Sequence, residues 1–144
     1  MTIRFAISAC LCGLNCKYNG LNNLNEKCKQ LLENGEAIII CPETCGGLSI
    51  PRKPCEIKGN KILTKDGIDC TYEYNLGAKL SLEYVKKFPT IDTIILKEKS
   101  PSCGSHFIYD GNHNHTIIEG MGVGAKLFKE AGYKIISEEE LDEL

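Results

Sequence analysis

Three short apolar runs, each followed at once by a cysteine-bearing loop, constrain this chain most strongly. The runs and their cysteines are residues 3–7 with Cys10, residues 38–40 with Cys41, and residues 94–96 with Cys103. Apolar runs without strict alternation are typical of strands that are covered on both faces of a parallel sheet. Ligands bind beyond the carboxyl ends of such strands. We therefore expect the three loops to meet at one edge of one sheet and to bring distant cysteines together.

Helical patterns and turn signals separate these runs and predict the rest of the fold. Predicted strands cover about residues 3–8, 36–40, 90–96 and 134–136, predicted helices run from Asn22 or Asn23 to about Leu32, over 71–87 and over 121–130, and predicted hairpins cover 56–63 and 107–118. Residues 41–54 hold three prolines and two consecutive glycines, and we expect them to be irregular. Strands that alternate with helices favour a parallel sheet. The prediction is one α/β domain over residues 1–144, with three layers, a Rossmann-like, mostly parallel sheet and small hairpin insertions.

Length and charge set limits on function. With 144 residues, the chain is long enough to bury one hydrophobic core. The formal net charge of −2 and the lack of a basic run give no support for binding to nucleic-acid backbones. No apolar segment approaches the roughly 20 residues that span a membrane, and the first residues lack the pattern of a signal peptide. We expect a soluble cytoplasmic protein, whose oligomeric state the sequence does not set.

The nine cysteines need an explanation. Their number is odd, so intramolecular disulfides cannot use all of them, and a chain without an export signal is expected to keep its thiols reduced. Metal or cluster ligation, a catalytic thiol and inert burial therefore remain. Cys28, Cys55 and Cys70 lie outside the glycine-rich loops, and we expect them to be buried and inert. No Cys-x-x-Cys pair is present, so the spacing allows a cluster assembled from separate loops but is weak evidence for one.

A series of motifs runs through nearly the whole chain in a fixed order. The motifs are Ser8-Ala9-Cys10-Leu11-x-Gly13, Tyr18-x-Gly20, Cys41-Pro42-Glu43-x-x-Gly46-Gly47-Leu48, Pro51-Arg52-x-Pro54-x-Glu56, Gly67-x-Asp69-x-Thr71, Lys97-Glu98-x-Ser100-Pro101-Ser102-Cys103-Gly104, Ile108-Tyr109-Asp110-Gly111 and Gly120-x-Gly122-Val123. The series resembles the thiouracil desulfidase family, which was long catalogued only as a domain of unknown function. The motifs around Cys41 and Cys103 are specific when they occur together, whereas either alone would only be suggestive.

The resemblance implies a [4Fe-4S] cluster held by Cys10, Cys41 and Cys103, with the fourth iron free of protein ligands. The sulfur of a thiocarbonyl would bind this open iron, as substrates bind the open position of other catalytic metal sites. Water would then attack the polarised carbon, with Glu43 as general base and Ser102 orienting the water or passing a proton. The implied enzyme converts a small thiolated pyrimidine such as 2-thiouracil into uracil and hydrosulfide by hydrolysis.

Several residues depart from the family pattern. Cys12 and Cys45 stand where the family has other residues, and Asn19 stands where an aspartate is usual. Cys12, Cys16 and Cys45 are close enough in sequence to the implied ligands to compete with them, and a fourth cysteine ligand would close the open iron. Such a closed cluster would serve structure or electron transfer. The alternative function is a non-enzymatic binding or sulfur-carrier protein that holds a metal or cluster. A desulfidase that acts on thiolated bases in RNA is a further alternative, which the acidic balance of the chain disfavours.

Two other features leave alternatives open. Arg52, flanked by prolines, could hold a substrate oxygen or carboxylate bidentately, or it could form a structural ion pair. His113 and His115 have a spacing that suits a metal site, but their position in a polar hairpin favours an exposed turn. The sequence does not distinguish 2-thio from 4-thio pyrimidines, or bases from nucleosides.

Overall fold

The computed structural model describes residues 2–144, so Met1, the first residue of the predicted domain, lies outside the described residues. The strands are β1 (Phe5–Ser8), β2 (Ala37–Ile40), β3 (Cys55–Lys58), β4 (Lys61–Thr64), β5 (Thr93–Leu96), β6 (Phe107–Tyr109), β7 (Ile117–Glu119) and β8 (Lys134–Ser137). The α-helices are α1 (Glu26–Glu33), α2 (Pro42–Cys45), α3 (Thr71–Lys86) and α4 (Val123–Glu130), and 3-10 turns cover Ala9–Cys12 and Glu138–Glu143. No helix in this part of the chain is both long and apolar enough to cross a membrane.

A four-stranded parallel sheet forms the centre of the fold, in the order β2-β1-β5-β8. The chain order reverses between β1 and β5, because β2 lies on one side of β1 and the later strands lie on the other. Such a reversal leaves a crevice beyond the carboxyl ends of the two strands, where open α/β sheets bind their ligands. The predicted α/β fold with a parallel sheet is therefore confirmed.

Alternate residues of the central strands pack into separate cores on the two faces of the sheet. Ala6, Ile94 and Leu96 face α3 and α4 on one side. Ile7 and Ile95 face α1 and the C-terminal 3-10 turn on the other side. All five side chains are fully buried, and burying an aliphatic side chain of this size contributes about 1.5–3 kcal/mol to stability. The two cores give the three-layer arrangement that the sequence predicts.

The helix α1 begins later than predicted. Asn25 is its N-cap, and the Asn25 side chain accepts the backbone N–H groups of Lys27 and Cys28 at 3.1 and 3.2 Å. Asn22 and Asn23, the predicted caps, instead use their side chains within the preceding loop and toward the first cysteine loop. All of these asparagines suit a cap position equally well, so sequence alone could not choose between them.

The segment after β2 is more regular than predicted. Cys41 is the N-cap of α2, and Pro42 occupies the first helical position, where its missing N–H breaks no intrahelical bond. The helices α2 and α3 meet at two glycines. A Cβ atom on Gly46 would lie 1.9 Å from the Glu73 carbonyl oxygen, and one on Gly77 would lie 1.6 Å from the Pro42 carbonyl oxygen. Because only glycine fits at this crossing, α3 fixes the position of the Cys41 loop.

Two antiparallel hairpins lie beside the main sheet, as predicted. The strands β3 and β4 pair across a two-residue turn at Gly59 and Asn60, and β6 pairs with β7. The hairpins also contact each other between β3 and β6. They therefore form a wall next to the crevice at the carboxyl edge of the sheet.

We predict that Gly77→Ala lowers the free energy of unfolding by about 2–3 kcal/mol, because the new methyl group overlaps the Pro42 carbonyl and forces the helices apart. Urea denaturation followed by circular dichroism measures the change. Lys79→Ala, on the exposed face of the same helix, is the matched control and should change stability by less than about 0.5 kcal/mol. Equal stability of the two variants would contradict the close packing.

Candidate active site

A cavity of about 460 Å³ lies beyond the carboxyl ends of β1, β2 and β5. Side chains from the three cysteine loops and from both hairpins line it. Cys10, Cys41 and Cys103 all border this cavity, and so do Glu43 and Ser102. The expectation that the three loops meet at one edge of the sheet is therefore met.

The Glu43 carboxylate lies in the cavity wall and accepts hydrogen bonds on both oxygens. Oε1 accepts from Arg52 Nε at 3.0 Å and from the Tyr74 hydroxyl at 3.2 Å. Oε2 accepts from the Ser102 hydroxyl at 2.7 Å and from the Ser100 hydroxyl at 3.1 Å. Only 13% of the Glu43 side chain is exposed. Because the donors come from three separate segments of the chain, the carboxylate is held in one orientation.

The Ser102 hydroxyl connects this carboxylate to a cysteine. Ser102 Oγ lies 3.6 Å from Cys103 Sγ and 2.8 Å from Ser100 Oγ. Ser100 Oγ in turn accepts the backbone N–H groups of Ser102 and Cys103, both at 3.1 Å. A hydroxyl between a carboxylate and a thiol can hold a water molecule or pass a proton. Groups that can transfer a proton therefore lie directly beside Cys103.

Arg52 forms an ion pair, which is one of the two roles that the sequence suggested for it. Its guanidinium contacts Glu43 through Nε and Nη2, both at 3.0 Å, and is only 8% exposed. Nη2 also donates to the Cys16 carbonyl at 2.9 Å, and Nη1 donates to the Ser49 carbonyl at 3.2 Å. These bonds engage the N–H donors at the edge of the guanidinium plane with the protein itself, so Arg52 positions Glu43.

The thiol of Cys16 lies beside those of Cys10 and Cys41, and its single S–H can donate to one of the two sulfurs at a time. The bond from Cys16 lowers the pKa of Cys10 against the effect of burial, and Asn23 adds a further bond to Cys10 Sγ at 3.4 Å. The same thiol lowers the pKa of Cys41 to about 6, again against burial and with help from Thr44. These bonds raise the pKa of Cys16 itself. Cys16 therefore favours deprotonation of the two neighbouring cysteines, and the thiolate is the form that binds metals.

The cysteines outside this group occupy different surroundings. Cys12 is buried and donates to the Cys28 carbonyl at 3.7 Å, whereas Cys45 is exposed at the end of α2. Neither borders the cavity, so neither is placed to compete as a ligand. Cys28, Cys55 and Cys70 are buried, as predicted, although Cys55 also borders the cavity.

The donor set fits an iron–sulfur cluster better than a single metal ion. Among the described residues, no group of three or more His, Cys, Asp or Glu side chains is close enough to hold one ion. The cysteines of a cluster bind different irons, so they need to border a common cavity rather than meet at one point. Cys10, Cys41 and Cys103 meet that requirement. Burial raises the pKa of Cys103 to about 12, and ligation would remove that proton.

Glu98 organises the loop that follows Cys103. Its side chain is buried, and Oε1 accepts the backbone N–H groups of Ser105, His106 and Phe107 at 2.8, 2.9 and 3.0 Å. Burial opposes ionisation of Glu98, but the hydrogen bonds outweigh it and lower the pKa to about 2. The buried carboxylate therefore closes the turn that fixes Cys103 in place.

The two hairpin histidines differ from each other. His115 is exposed, as predicted. His113 is only 14% exposed, borders the cavity and lies next to Glu56, so the prediction of an exposed turn is wrong for this residue. Glu56 comes from the other hairpin, and the local sequence around His113 does not reveal that contact. In the described part of the chain, neither histidine belongs to a group that could hold a metal ion.

Two residues of the site were missed by the sequence analysis. Ser100 belongs to the same motif as Ser102 and holds both Glu43 and the Cys103 backbone, so the Ser-Pro-Ser spacing was an available signal. Tyr74 lies on the buried face of α3, where an aromatic residue ordinarily indicates only core packing. Its hydroxyl bond to Glu43 depends on the close approach of α2 and α3 and had no local signal.

Comparisons with known proteins agree on one family. The profile of the 2-thiouracil desulfurase family matches residues 5–140. The uncharacterized protein YbbK of Bacillus subtilis (strain 168) is 44% identical to this chain over 148 residues, which cover 96% of this chain and 97% of that protein. The solved structure of the [4Fe-4S]-dependent thiouracil desulfidase TudS superposes with a TM-score of 0.93 at 36% identity, over 99% of this chain and 95% of that one.

We predict that Glu98→Gln lowers the free energy of unfolding by about 3 kcal/mol at pH 7. The pKa of Glu98 is lowered from 4.5 to about 2 in the folded chain, so its stabilisation is complete above about pH 4.5 and is lost as pH falls through about 2. The difference between wild type and variant should therefore shrink by roughly half at pH 3, measured by urea denaturation. Glu83→Gln, at an exposed position of α3, is the control. A difference that is the same at pH 7 and pH 3 would contradict the charge-based role.

Proposed function

This chain belongs to the 2-thiouracil desulfurase family, and we propose that it is a [4Fe-4S]-dependent desulfidase that hydrolyses thiolated pyrimidines. The reaction consumes one water per thiocarbonyl and yields the oxygen analogue, hydrosulfide and a proton. No electrons are gained or lost overall. The structural similarity to the desulfidase TudS supports the proposed activity and cofactor for this chain.

The observation that carries the proposal is the bond between Glu43 and Ser102 beside the three-cysteine cavity. Ser102 Oγ is 2.7 Å from the carboxylate and 3.6 Å from Cys103 Sγ. A sulfur carrier needs cysteines but has no use for a buried carboxylate that is connected to them through a hydroxyl. The arrangement therefore favours an enzyme over the non-enzymatic alternative.

We assign Cys10, Cys41 and Cys103 as the three ligands of the cluster. When bound, the cluster would supply an iron without a protein ligand, which acts as a Lewis acid for the thiocarbonyl sulfur. Cys16, which lies beside Cys10 and Cys41 and can donate its single S–H to one of them, is assigned as a hydrogen-bond donor rather than as a fourth ligand.

The protein's own part in the reaction is proton transfer and orientation. Ser102 holds the attacking water and passes its proton to Glu43 Oε2, to which it already donates. Arg52 and Tyr74 keep Oε1 occupied, so the carboxylate cannot rotate away from the serines. Ser100 orients Ser102 from the other side. A positioned base of this kind typically contributes about 10²–10⁴-fold to the rate.

The substrate we assign is a small thiolated pyrimidine rather than a base within RNA. The chain carries a formal net charge of −2, whereas affinity for an RNA backbone depends on several clustered cations. We place the reaction in the cytoplasm, because all nine cysteines are free and a reducing compartment keeps them so.

The experiment that tests this function is anaerobic reconstitution followed by assay with 2-thiouracil. We predict about four irons and four sulfides per chain, with release of uracil and hydrosulfide in equal amounts. Each of Cys10→Ala, Cys41→Ala and Cys103→Ala should lose the cluster, measured as bound iron and acid-labile sulfide. Cys28→Ala and Cys16→Ala should retain it. Full iron content in all three ligand variants would refute the assignment, and a cluster that leaves 2-thiouracil unchanged would refute the activity.

Glu43→Gln is predicted to keep the cluster and to lower kcat by about 10²–10⁴-fold, because the amide cannot take up the proton from water. Iron content and turnover of 2-thiouracil are measured on the same sample. Glu33→Gln, at an exposed position of α1, is the control and should keep full activity. A Glu43→Gln variant with kcat within about threefold of wild type would remove Glu43 from the mechanism.

A further inference from the structure

His113 borders the same cavity as the proposed catalytic groups but has no part in the chemistry described above. The Glu56 carboxylate holds it in place. Glu56 Oε1 accepts the backbone N–H groups of Gly111 and His113 at 3.0 and 3.1 Å, and Oε2 lies 3.6 Å from His113 Nδ1. The two side chains are only 14% and 11% exposed. One buried carboxylate thus fixes both the loop and its imidazole.

The backbone of this loop is as constrained as its side chain. His113 has a φ of 55°, in the left-handed region that residues other than glycine adopt infrequently. At Gly111, with a φ of 93°, a Cβ atom would lie 2.6 Å from the Ile57 carbonyl oxygen, so the loop presses directly on β3. A side chain held this firmly on a cavity wall is typical of a group that binds a ligand.

The contact with Glu56 also affects which ring nitrogen of the imidazole can accept a hydrogen bond. In neutral histidine one ring nitrogen carries a proton and the other is an acceptor. The carboxylate beside Nδ1 favours the proton on that nitrogen, which leaves the lone pair of Nε2 as an acceptor. With the proton on Nδ1, His113 Nε2 supplies an acceptor.

The two carboxylates nearest the Cys103 loop are already engaged as acceptors. Both oxygens of Glu43 accept from protein donors, and both oxygens of the buried Glu98 do the same. By contrast, lysines, an arginine and tyrosines supply many donors to the lining. A uracil-type ring carries N–H groups as well as carbonyl or thiocarbonyl groups. An N–H group that is buried without an acceptor costs about 1–3 kcal/mol.

We propose that His113 Nε2 accepts a hydrogen bond from a ring N–H group of the pyrimidine, with Glu56 as its positioning residue. The assignment rests on the proposed function for the identity of the substrate, and it adds the residue that selects rings with a free N–H. Its role is binding rather than chemistry, so its loss should raise KM and leave kcat nearly unchanged.

The test uses ligands that cannot react. Uracil, 1-methyluracil and 3-methyluracil keep the ring but remove one N–H group at a time, and their Kd values are measured by anaerobic calorimetry on the cluster-loaded chain. His113→Asn tolerates a left-handed backbone but is too short to place an acceptor where Nε2 lies. His113→Gln restores an acceptor at about that reach. Asn114→Ala is the matched control, because Asn114 is exposed in the same loop and does not border the cavity.

The expected result is a Kd for uracil that rises about 10-fold in His113→Asn and stays within about threefold of wild type in His113→Gln and Asn114→Ala. For one of the two methylated ligands, wild type and His113→Asn should bind equally, which identifies the N–H group concerned. KM for 2-thiouracil should rise in parallel with the Kd, and iron content should not change.

Three outcomes would overturn the inference. These are unchanged uracil binding in His113→Asn, no measurable uracil binding by wild type, and an equal loss of affinity for all three ligands, which would indicate a purely structural role. A failure of the proposed function would give a different experimental result. A wild-type chain that releases no sulfide from 2-thiouracil but binds uracil in a His113-dependent way would refute the activity and leave this inference standing.

Discussion

The buried Glu43 carboxylate is the constraint on which the rest of this site depends. A charge in a largely closed wall is costly unless donors surround it, and here Arg52, Tyr74, Ser100 and Ser102 all donate to it. These donors come from the segment after α2, from α3 and from the loop after β5. Satisfying one carboxylate therefore ties together three parts of the chain that are far apart in sequence, and this brings the Cys41 and Cys103 loops to one place.

The thiols present a related electrostatic problem. The surroundings lower the pKa values of both Cys10 and Cys41, and two thiolates in one cavity repel each other. The Cys16 thiol reduces this repulsion by donating its one S–H to either sulfur, and Asn23 adds a donor to Cys10. Hydrogen bonds to ligand sulfurs are also one of the means by which proteins set the potential of iron–sulfur clusters. The role we propose for the extra cysteine is therefore that of a donor rather than a competing ligand.

The parts of this structure that sequence could predict are those that depend on local pattern or on strand ends. Apolar runs followed by cysteine loops were enough to predict the parallel sheet and the convergence of Cys10, Cys41 and Cys103, because parallel strands end at a common edge. The start of α1 was predicted wrongly because several asparagines could cap it. The helix α2 was missed because its stability comes from the Gly46–Gly77 crossing with α3, which is a tertiary contact. The sequence also did not reveal the donors Tyr74 and Cys16 or the burial of His113. Each of these depends on a contact with another element of the fold.

The two hairpins are a further tertiary feature of the site, because they border the open crevice at the edge of the sheet. The edge of a parallel sheet gives an open crevice, and a crevice alone does not separate a reacting ligand from bulk water. In this chain the hairpins supply the missing wall, and Glu56 joins them by accepting backbone N–H groups from the second hairpin. Because Glu56 follows Arg52 by only four residues, one short segment contributes both a donor to the Glu43 carboxylate and the carboxylate that joins the two hairpins. The positions of Glu43 and His113 are therefore linked through this segment, as the proposed roles require if His113 binds the ring while Glu43 takes the proton of the attacking water.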